Sequence, residues 1–560
     1  MRRTQQVINL LGCLFLLTGS VASFASPQTN DRPNILLIIA DDLGFTDIGS
    51  FGGEIPTPHL DKLAFSGMRF SNFHTMPACS PTRATLFTGV DSHLAGVGNM
   101  YEELSPNQKG QPGYEGFLND RVVSVATLLK NSGYRTYLSG KWHLAVTPDQ
   151  GPTSQGFERS FSLISGGASH FSDMRPAYAA TPDAKAPYVE DGKLLTELPE
   201  DFEYSSQFYV DKLISYLEDE ADSDKPFFSV LSFTAPHWPL QAPDAAIENH
   251  HGAYSEGYDV VYENRLKRVR ELGILPQSPD PTRPPKAVRW NELNKEEKII
   301  QQRSMEVYAA MVEEIDRHTG RLINYLESTE VLDNTLILFF SDNGPEGHDL
   351  DETWSPELFP KIRQVIDEQH DFSLDAMGRP GSYVLYGAGW ARAGAAGLRM
   401  YKAFPSEGGT RVSAFAHLPG HVAPGEILHS TLSVRDVTPT LLDFAGIEHP
   451  GNIFEGKEIH PMQGNSFRPL LSNPKADISI NPLGIELFGK YALRDGDWKL
   501  LLMPKPYGTG DAELYYLPDD PGETNNLALK KPEKLASMIE KWKDYQRKNN
   551  VILPDWVSGY

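Results

Sequence analysis

The residues able to do chemistry in this 560-residue chain form short polar clusters, most of them directly behind an apolar run. Cys79-Ser-Pro-Thr-Arg83 is the most informative of them. Pro81 suits the first position of a helix and Ser80 suits its cap, so Cys79 is expected at a helix amino terminus. Free N–H groups and the helix dipole favour an anion there. Arg83 lies four residues on, about one turn away, and shares a face with Cys79. Together they describe an electropositive seat for an oxyanion or for a thiolate. Asp41-Asp42, Lys141-Trp-His143, His237 behind Pro236, and Asp342-Asn343 are the other clusters. Taken singly, each has an ordinary reading as a turn, a solvated charge or a satisfied histidine.

The elements that must carry them change that weighting. Asn34-Ile-Leu-Leu-Ile-Ile-Ala40 is a continuous apolar strand that ends at Asp41. Tyr134–Leu138 leads into Ser139-Gly-Lys-Trp-His143, Phe227–Phe233 into Thr234-Ala-Pro-His237, and Thr335–Phe340 into Ser341-Asp-Asn343. Runs of this kind are buried on both faces of a mostly parallel sheet. In open α/β sheets, sites form beyond the carboxyl ends of the strands. Four strands delivering polar groups at that end make a common site the economical reading.

The alternation of apolar runs with amphipathic segments predicts an α/β fold: a large mixed, mostly parallel sheet flanked by helices. Val122, Val125, Ala126 and Leu129 keep helical spacing, with Gly133 as a stop. Residues 294–327 read as one long amphipathic helix with Met305, Tyr308, Ala309, Val312 and Ile315 inward, and Glu313 and Glu314 on a solvated face. Segments 172–203 and 345–398 read as irregular walls of the site, and 277–287 as a Pro-rich connection. Texture changes near residue 475. Tyr491–Met503 reads as a hairpin turning at Asp495-Gly496, followed by a helix over 533–548. The expected organisation is therefore a leader over 1–25, a catalytic α/β domain over 26–475, and a small C-terminal α+β domain over 476–560. His59, His74, His93 and His348 read as structural, His170 has no firm role, and Trp354, Tyr386 and Trp390 read as core packing.

A formal net charge of -23 argues against a nucleic-acid partner, because phosphate backbones need a basic footprint. Arg2 and Arg3, the apolar run Val7–Leu17, and small Ser23 and Ala25 read as a signal peptide cut near Ala25–Ser26. Losing those two arginines takes -23 to -25. No later stretch is long and apolar enough to span a bilayer, so a secreted or periplasmic protein is expected. Of two cysteines, Cys13 leaves with the leader, and the remaining Cys79 has no partner for an internal disulfide.

Cys79-Ser-Pro-Thr-Arg83 matches the Cys-x-Pro-x-Arg signature, and with the ordered set around it the chain resembles the type I sulfatases of the alkaline phosphatase superfamily. Asp41-Asp42, Gly140-Lys-Trp-His143, Pro236-His237, Asp342-Asn-Gly344, and Lys402 ahead of Glu407-Gly-Gly-Thr-Arg411 fall in the family's order. Glu513-Leu-Tyr-Tyr-Leu517 through Asp520-Pro521 and Asn526-Leu527 is similar to its C-terminal motif. Gly166-Gly-Ala-Ser-His-Phe171 and Arg270–Pro276 resemble bacterial arylsulfatases. Ser413 departs from the pattern, where proline is expected after Arg411-Val412.

The resemblance implies a sulfuric ester hydrolase in which Cys79 is oxidised to formylglycine by a formylglycine-generating enzyme. One calcium ion is implied, held by Asp41, Asp42, Asp342, Asn343 and the modified residue 79. These four side chains offer only oxygen, which suits a hard cation; the ligands alone admit magnesium as well as calcium. Arg83 is implied to orient the aldehyde hydrate, Lys141 and Lys402 to bind sulfate oxygens, His143 to deprotonate the hydrate and His237 to protonate the leaving alkoxide. A small-molecule or carbohydrate sulfate ester is the implied substrate. Three other readings stay open at this stage: a formylglycine-dependent phosphonate monoester or phosphodiester hydrolase, a thiolate-based amidase or peptidase, and a sulfated-glycan binder that never receives the aldehyde.

Overall fold

In strand β1 (Asn34–Ala40), Ile35, Leu37 and Ile39 face one apolar layer, and Leu36, Ile38 and Ala40 face the other. A strand so placed is buried on both sides, as its unbroken apolar run requires. The computed structural model describes residues 32–179, 181–221, 223–350, 359–479 and 481–556. The expected leader, Cys13 and Trp354 lie outside the described residues.

β1 belongs to a sheet completed by β2 (Met68–His74), β3 (Arg135–Lys141), β4 (Arg159–Leu163), β5 (Tyr188–Glu190), β6 (Lys193–Leu194), β7 (Phe227–Ser232), β8 (Thr335–Ser341), β9 (Arg411–His417), β10 (Ile427–Leu428) and β11 (Leu432–Ser433). Its order is β10-β2-β9-β8-β1-β7-β3-β4-β5-β6, with β11 paired to β2. From β8 through β1, β7 and β3 to β4 the pairing is parallel. β9 runs antiparallel between β8 and β2, and β5 and β6 close the far side antiparallel. The sheet is mixed and mostly parallel, as expected. The four strands singled out in the sequence are the adjacent quartet β8-β1-β7-β3, so their carboxyl ends open on one shared edge.

Helices Lys295–Ser328 and Ser205–Glu218 cover one face; Cys79–Thr88, Val125–Asn131 and Val437–Ala445 cover the other. The long helix begins where expected, because the Asn294 side chain accepts from the Glu297 N–H. Glu314 departs from expectation. It is buried and pairs with His318 at 3.0 Å and with Arg317, so its charge is neutralised locally instead of being solvated. The wall segments also carry more structure than their Pro and Gly content indicates. They hold β5, β6 and the helices Phe359–Gln369 and Gly387–Gly394. Ile362, Val365 and Ile366 give the first of those helices a buried stripe at helical spacing.

The Cys79–Thr88 helix starts earlier than Ser80 and Pro81 imply. Ala78 is its cap residue, and Pro81 sits inside the first turn. Proline is tolerated there because first-turn N–H groups have no partner in the helix. Every residue of this helix is buried.

At the carboxyl terminus, Leu483–Leu487, Lys490–Asp495, Trp498–Leu502 and Glu513–Tyr516 form a four-stranded antiparallel sheet. Gly496 takes the left-handed conformation the hairpin needs (φ +59°). Leu493, Leu500 and Leu514 on one face pack on Met538 and Trp542 of the Pro532–Lys548 helix. Ala492, Leu501, Met503 and Tyr515 on the other face join the main core. Among the described residues, no helix is long and apolar enough to cross a membrane.

His93 ties this terminal unit to the segment behind the Cys79–Thr88 helix. It lies 2.8 Å from Asp91 and 3.2 Å from Glu486, and Tyr545 donates to Asp91 at 2.7 Å. Burial opposes the imidazolium, but the two carboxylates prevail and push its pKa from 6.5 up to about 9. The gain is about 3 kcal/mol, present in full below pH 6.5 and lost as pH rises through about 9. A His93→Gln variant is therefore expected to melt several degrees lower than wild type near pH 6, with the gap narrowing above about pH 9.5. Thermal midpoints across that range check it; an equal deficit at both ends is the contrary result.

Candidate active site

The strand ends converge as the sheet order requires. Asp342 N–H donates to the Ala40 carbonyl at 3.0 Å, continuing the β1–β8 ladder past the strands and setting Asp41, Asp42, Asp342 and Asn343 side by side. The Asn343 amide donates to Asp42 Oδ1 at 2.6 Å. Asp42 adopts φ +66°, a strained backbone for a non-glycine residue.

Arg83 comes up from the helix below. Its Nε and Nη2 grip Asp342 Oδ2 at 3.0 and 2.8 Å, and its Nη1 donates to the Lys141 carbonyl at 2.8 Å and to Ser232 Oγ at 2.6 Å. Lys141 Nζ is 2.6 Å from Asp41 Oδ2, and Lys402 Nζ is 2.9 Å from Asp42 Oδ2. All of these side chains are buried. Ligand atoms of Asp41, Asp42, Cys79 and His237 lie within 4.8 Å of one another. The residues expected from distant parts of the chain thus form one site.

The electrostatics follow from burial set against countercharge. Burial pushes the Asp41 carboxyl well above 3.8, with Lys141 offsetting only part of it, and burial likewise raises Asp42 against Lys402. For Asp342 burial also acts upward, but Arg83, Lys141 and Lys402 outweigh it and hold the carboxyl down. Burial raises the Cys79 thiol despite Lys141 and Lys402, so residue 79 rests here as a thiol. That setting disfavours a thiolate nucleophile.

Asp41 Oδ1 and Asn343 Oδ1 are buried with no hydrogen-bond partner. Orphaned oxygens among three clustered aspartates are what a hard cation would satisfy, and the donor set fits one.

Two glycines make room for the histidines. A Cβ on Gly166 would stand 2.8 Å from His143 Cε1, and one on Gly167 would stand 3.1 Å from His237 Cε1. His237 donates from Nδ1 to the Trp238 carbonyl at 2.6 Å, which turns Nε2 toward Asp42 Oδ2 at 3.6 Å. Burial, then Lys402 and Lys141, keep this ring neutral. His143 pairs through Nε2 with Glu102 at 3.2 Å. His170, left without a role by the sequence, accepts its place behind the site: Nε2 donates to the His237 carbonyl at 3.0 Å and Nδ1 meets Ser205 Oγ at 3.0 Å.

Some participants escape the sequence reading. Glu346 stands 3.4 Å from Lys402 Nζ and 2.7 Å from His348, a histidine expected to be merely structural. Glu346 lies three residues beyond Asn343, so nearness to that cluster was an available signal. Glu102 and Ser232 carried none. Tyr386 stacks on Tyr308 at 4.6 Å beside the site, and Trp390 packs in the core and donates to the Gln301 carbonyl.

The Sulfatase family profile matches residues 33–447. An uncharacterized sulfatase of Schizosaccharomyces pombe is 40% identical over 95% of this chain and 96% of its own length. An arylsulfatase of Klebsiella aerogenes is 38% identical over 80% of this chain and 93% of its own. Among solved structures, Ps i-CgsB in complex with k-i-k-neocarrahexaose superposes with a TM-score of 0.64 at 24% identity, covering 94% of this chain and 95% of that one. At that identity the likeness is one of fold, and it agrees with the alkaline phosphatase-like architecture expected. A family profile that covers most of the chain, and relatives 38% and 40% identical over most of their own length, show that this chain, with its buried aspartates, paired lysines and Cys79 gathered at one sheet edge, belongs to the sulfatase family and is a sulfuric ester hydrolase.

Proposed function

We propose that this protein cleaves sulfate monoesters to an alcohol or phenol and inorganic sulfate, using formylglycine made from Cys79 and one bound calcium ion. The observation that carries the reading is Cys79 Sγ within 4.8 Å of ligand atoms of Asp41, Asp42 and His237, inside a buried cluster with unsatisfied oxygens. Asp41, Asp42, Asp342 and Asn343 would hold the ion with residue 79, and when bound it supplies positive charge for a sulfate oxygen and acidifies the attacking hydroxyl. An aldehyde hydrate at residue 79 supplies one hydroxyl for attack and a second for release of sulfate.

The remaining work belongs to the chain's own side chains. Lys141 and Lys402 exchange part of their pairing with Asp41 and Asp42 for the sulfate oxygens, concentrating positive charge that an acidic chain otherwise lacks. Arg83 holds Asp342 and the β3 and β7 strand ends in register beneath residue 79. His143 takes a proton from the side chain of residue 79. His237 presents Nε2 to the departing oxygen; burial, then Lys402 and Lys141, disfavour its charged ring, and the anionic ester offsets the lysines and so lets Nε2 carry the proton it delivers. Exclusion of water by the buried walls strengthens each of these interactions. Relatives named arylsulfatase and choline-sulfatase support small sulfate esters as substrates. Export through a leader over residues 1–25, into the periplasm or the medium, completes the reading and rests on Arg2, Arg3 and the Val7–Leu17 run.

Mass analysis of the peptide bearing residue 79 is expected to show the thiol replaced by an aldehyde, and Cys79→Ala to release no sulfate from nitrophenyl sulfate. Sulfate release surviving that substitution contradicts the mechanism, and faster turnover of the matched nitrophenyl phosphonate redirects it to phosphonate esters. Asp41→Asn is expected to weaken calcium binding in calorimetry by more than the roughly 10- to 100-fold that loss of a group merely supporting a ligand brings, because Asp41 would be a ligand itself. Arg83→Met is expected to cost about 3–5 kcal/mol in unfolding, because Asp342 is left buried and unpaired; an unchanged denaturation midpoint counts against it.

A further inference from the structure

Beside the cation cluster, the His143 ring is held from one side only. Its Nε2 lies 3.2 Å from Glu102 Oε1, while its Nδ1 is buried and has no hydrogen-bond partner. Glu102 sits on the short turn Tyr101–Glu103, in sequence far from every strand end that builds the site. The same oxygen, Glu102 Oε1, accepts from the Tyr178 hydroxyl at 2.8 Å. Tyr178 belongs to the wall segment 172–203, so two separate loops meet on this one carboxylate.

We propose that Glu102 is a positioning residue that fixes His143 with its proton on Nε2, leaving Nδ1 as the bare nitrogen that serves residue 79. This rests on the reading of His143 as the proton acceptor, and deepens it by naming the nitrogen and the group that selects it.

A carboxylate can only accept hydrogen bonds, so a neutral imidazole facing it must present an N–H. Burial acts to raise the Glu102 carboxyl, but His143 and Tyr178 outweigh it and hold the group down at about 2, so it remains a carboxylate across any working range. With Nε2 occupied as donor, Nδ1 carries the lone pair. The ring has little freedom to exchange the two nitrogens. His143 takes φ +54°, and the Gly166 backbone packs so closely that a Cβ there would lie 3.0 Å from Nε2 and 2.8 Å from Tyr178 Oη. Burial, and after it the positive charges of Lys141 and Arg83, oppose a charged ring, so Glu102 is also the group that offsets them when Nδ1 gains a proton. Catalytic triads use a carboxylate in this way, where the amide replacement preserves shape but selects the wrong tautomer.

Glu102→Gln tests the assignment. Its amide can donate to Nε2, and so stabilises the opposite tautomer. In protein labelled with nitrogen-15 histidine, with the His143 signals identified by their loss in His143→Ala, the wild type is expected to show an N–H-type Nε2 and a bare, acceptor-type Nδ1. Glu102→Gln is expected to shift that pattern toward protonated Nδ1. Its kcat is expected to fall by about 10²- to 10⁴-fold with KM within about threefold, the split expected when an interaction matters in the transition state alone. Glu102→Asp, which keeps the carboxylate, is expected to recover part of the lost kcat and the wild-type tautomer. An unchanged tautomer in Glu102→Gln, or a loss shared equally by Gln and Asp, overturns the proposal; should Glu102→Gln fail to fold, an altered tautomer in Glu102→Asp does so as well. Full activity in His143→Ala sinks the acceptor reading instead, while the nitrogen spectra still decide what Glu102 does.

Discussion

Everything at this site answers to one constraint: Asp41, Asp42 and Asp342 are buried together, and buried like charges must be neutralised or they will not ionise. Arg83, Lys141 and Lys402 meet that demand one to one, at 2.6 to 2.9 Å for the closest contacts. The matching is unequal. Asp342, gripped by two nitrogens of Arg83, stays readily ionised, whereas Asp41 and Asp42 are pushed upward by burial. Two carboxylates are left short of positive charge, and Asp41 Oδ1 and Asn343 Oδ1 stay unpartnered, a donor set that suits a hard cation.

The scaffold supplies what such a site needs, which is rigidity from several directions. Parallel pairing of β8, β1, β7 and β3 brings four strand ends to one edge, and the Cys79–Thr88 helix presses residue 79 up from below. Gly140 permits the closest approach among them. A Cβ there would lie 1.8 Å from the Ser232 carbonyl oxygen, so only glycine lets β3 and β7 meet where Arg83 bonds both the Lys141 carbonyl and Ser232. Strained backbone at Asp42, His143, Met400 and Ala403 clusters around the same place, the pattern of a site held by its surroundings against local preference.

The small C-terminal sheet takes part in this support. Lys499 bonds Glu407 at 2.8 Å and Glu523 at 2.7 Å, and Arg399 bonds Glu513 at 2.9 Å. Those contacts clamp the segment between Arg399 and Arg411, which carries Lys402. Charge on the terminal sheet thereby steadies a lysine of the site, although no residue of that sheet was expected near it.

Sequence alone determined the parts that depend on local order. The apolar runs named the central quartet of strands, their polar endings named Asp41, Asp42, Lys141, His143, His237, Asp342 and Asn343, and Cys79-Ser-Pro-Thr-Arg83 named the helix start, within two residues of its true cap. These are legible because strand burial, helix polarity and family motifs are written in neighbouring residues. Glu102, Glu346, Ser232 and the placement of His170 were decided only by tertiary structure. Each is set by a contact with a residue elsewhere in the chain, and no spacing records which loop will fold over which strand end. The same holds for protonation: whether His143 and His237 are donors or acceptors depends on Glu102 and the Trp238 carbonyl standing beside them, a matter of ångströms that residue order does not encode.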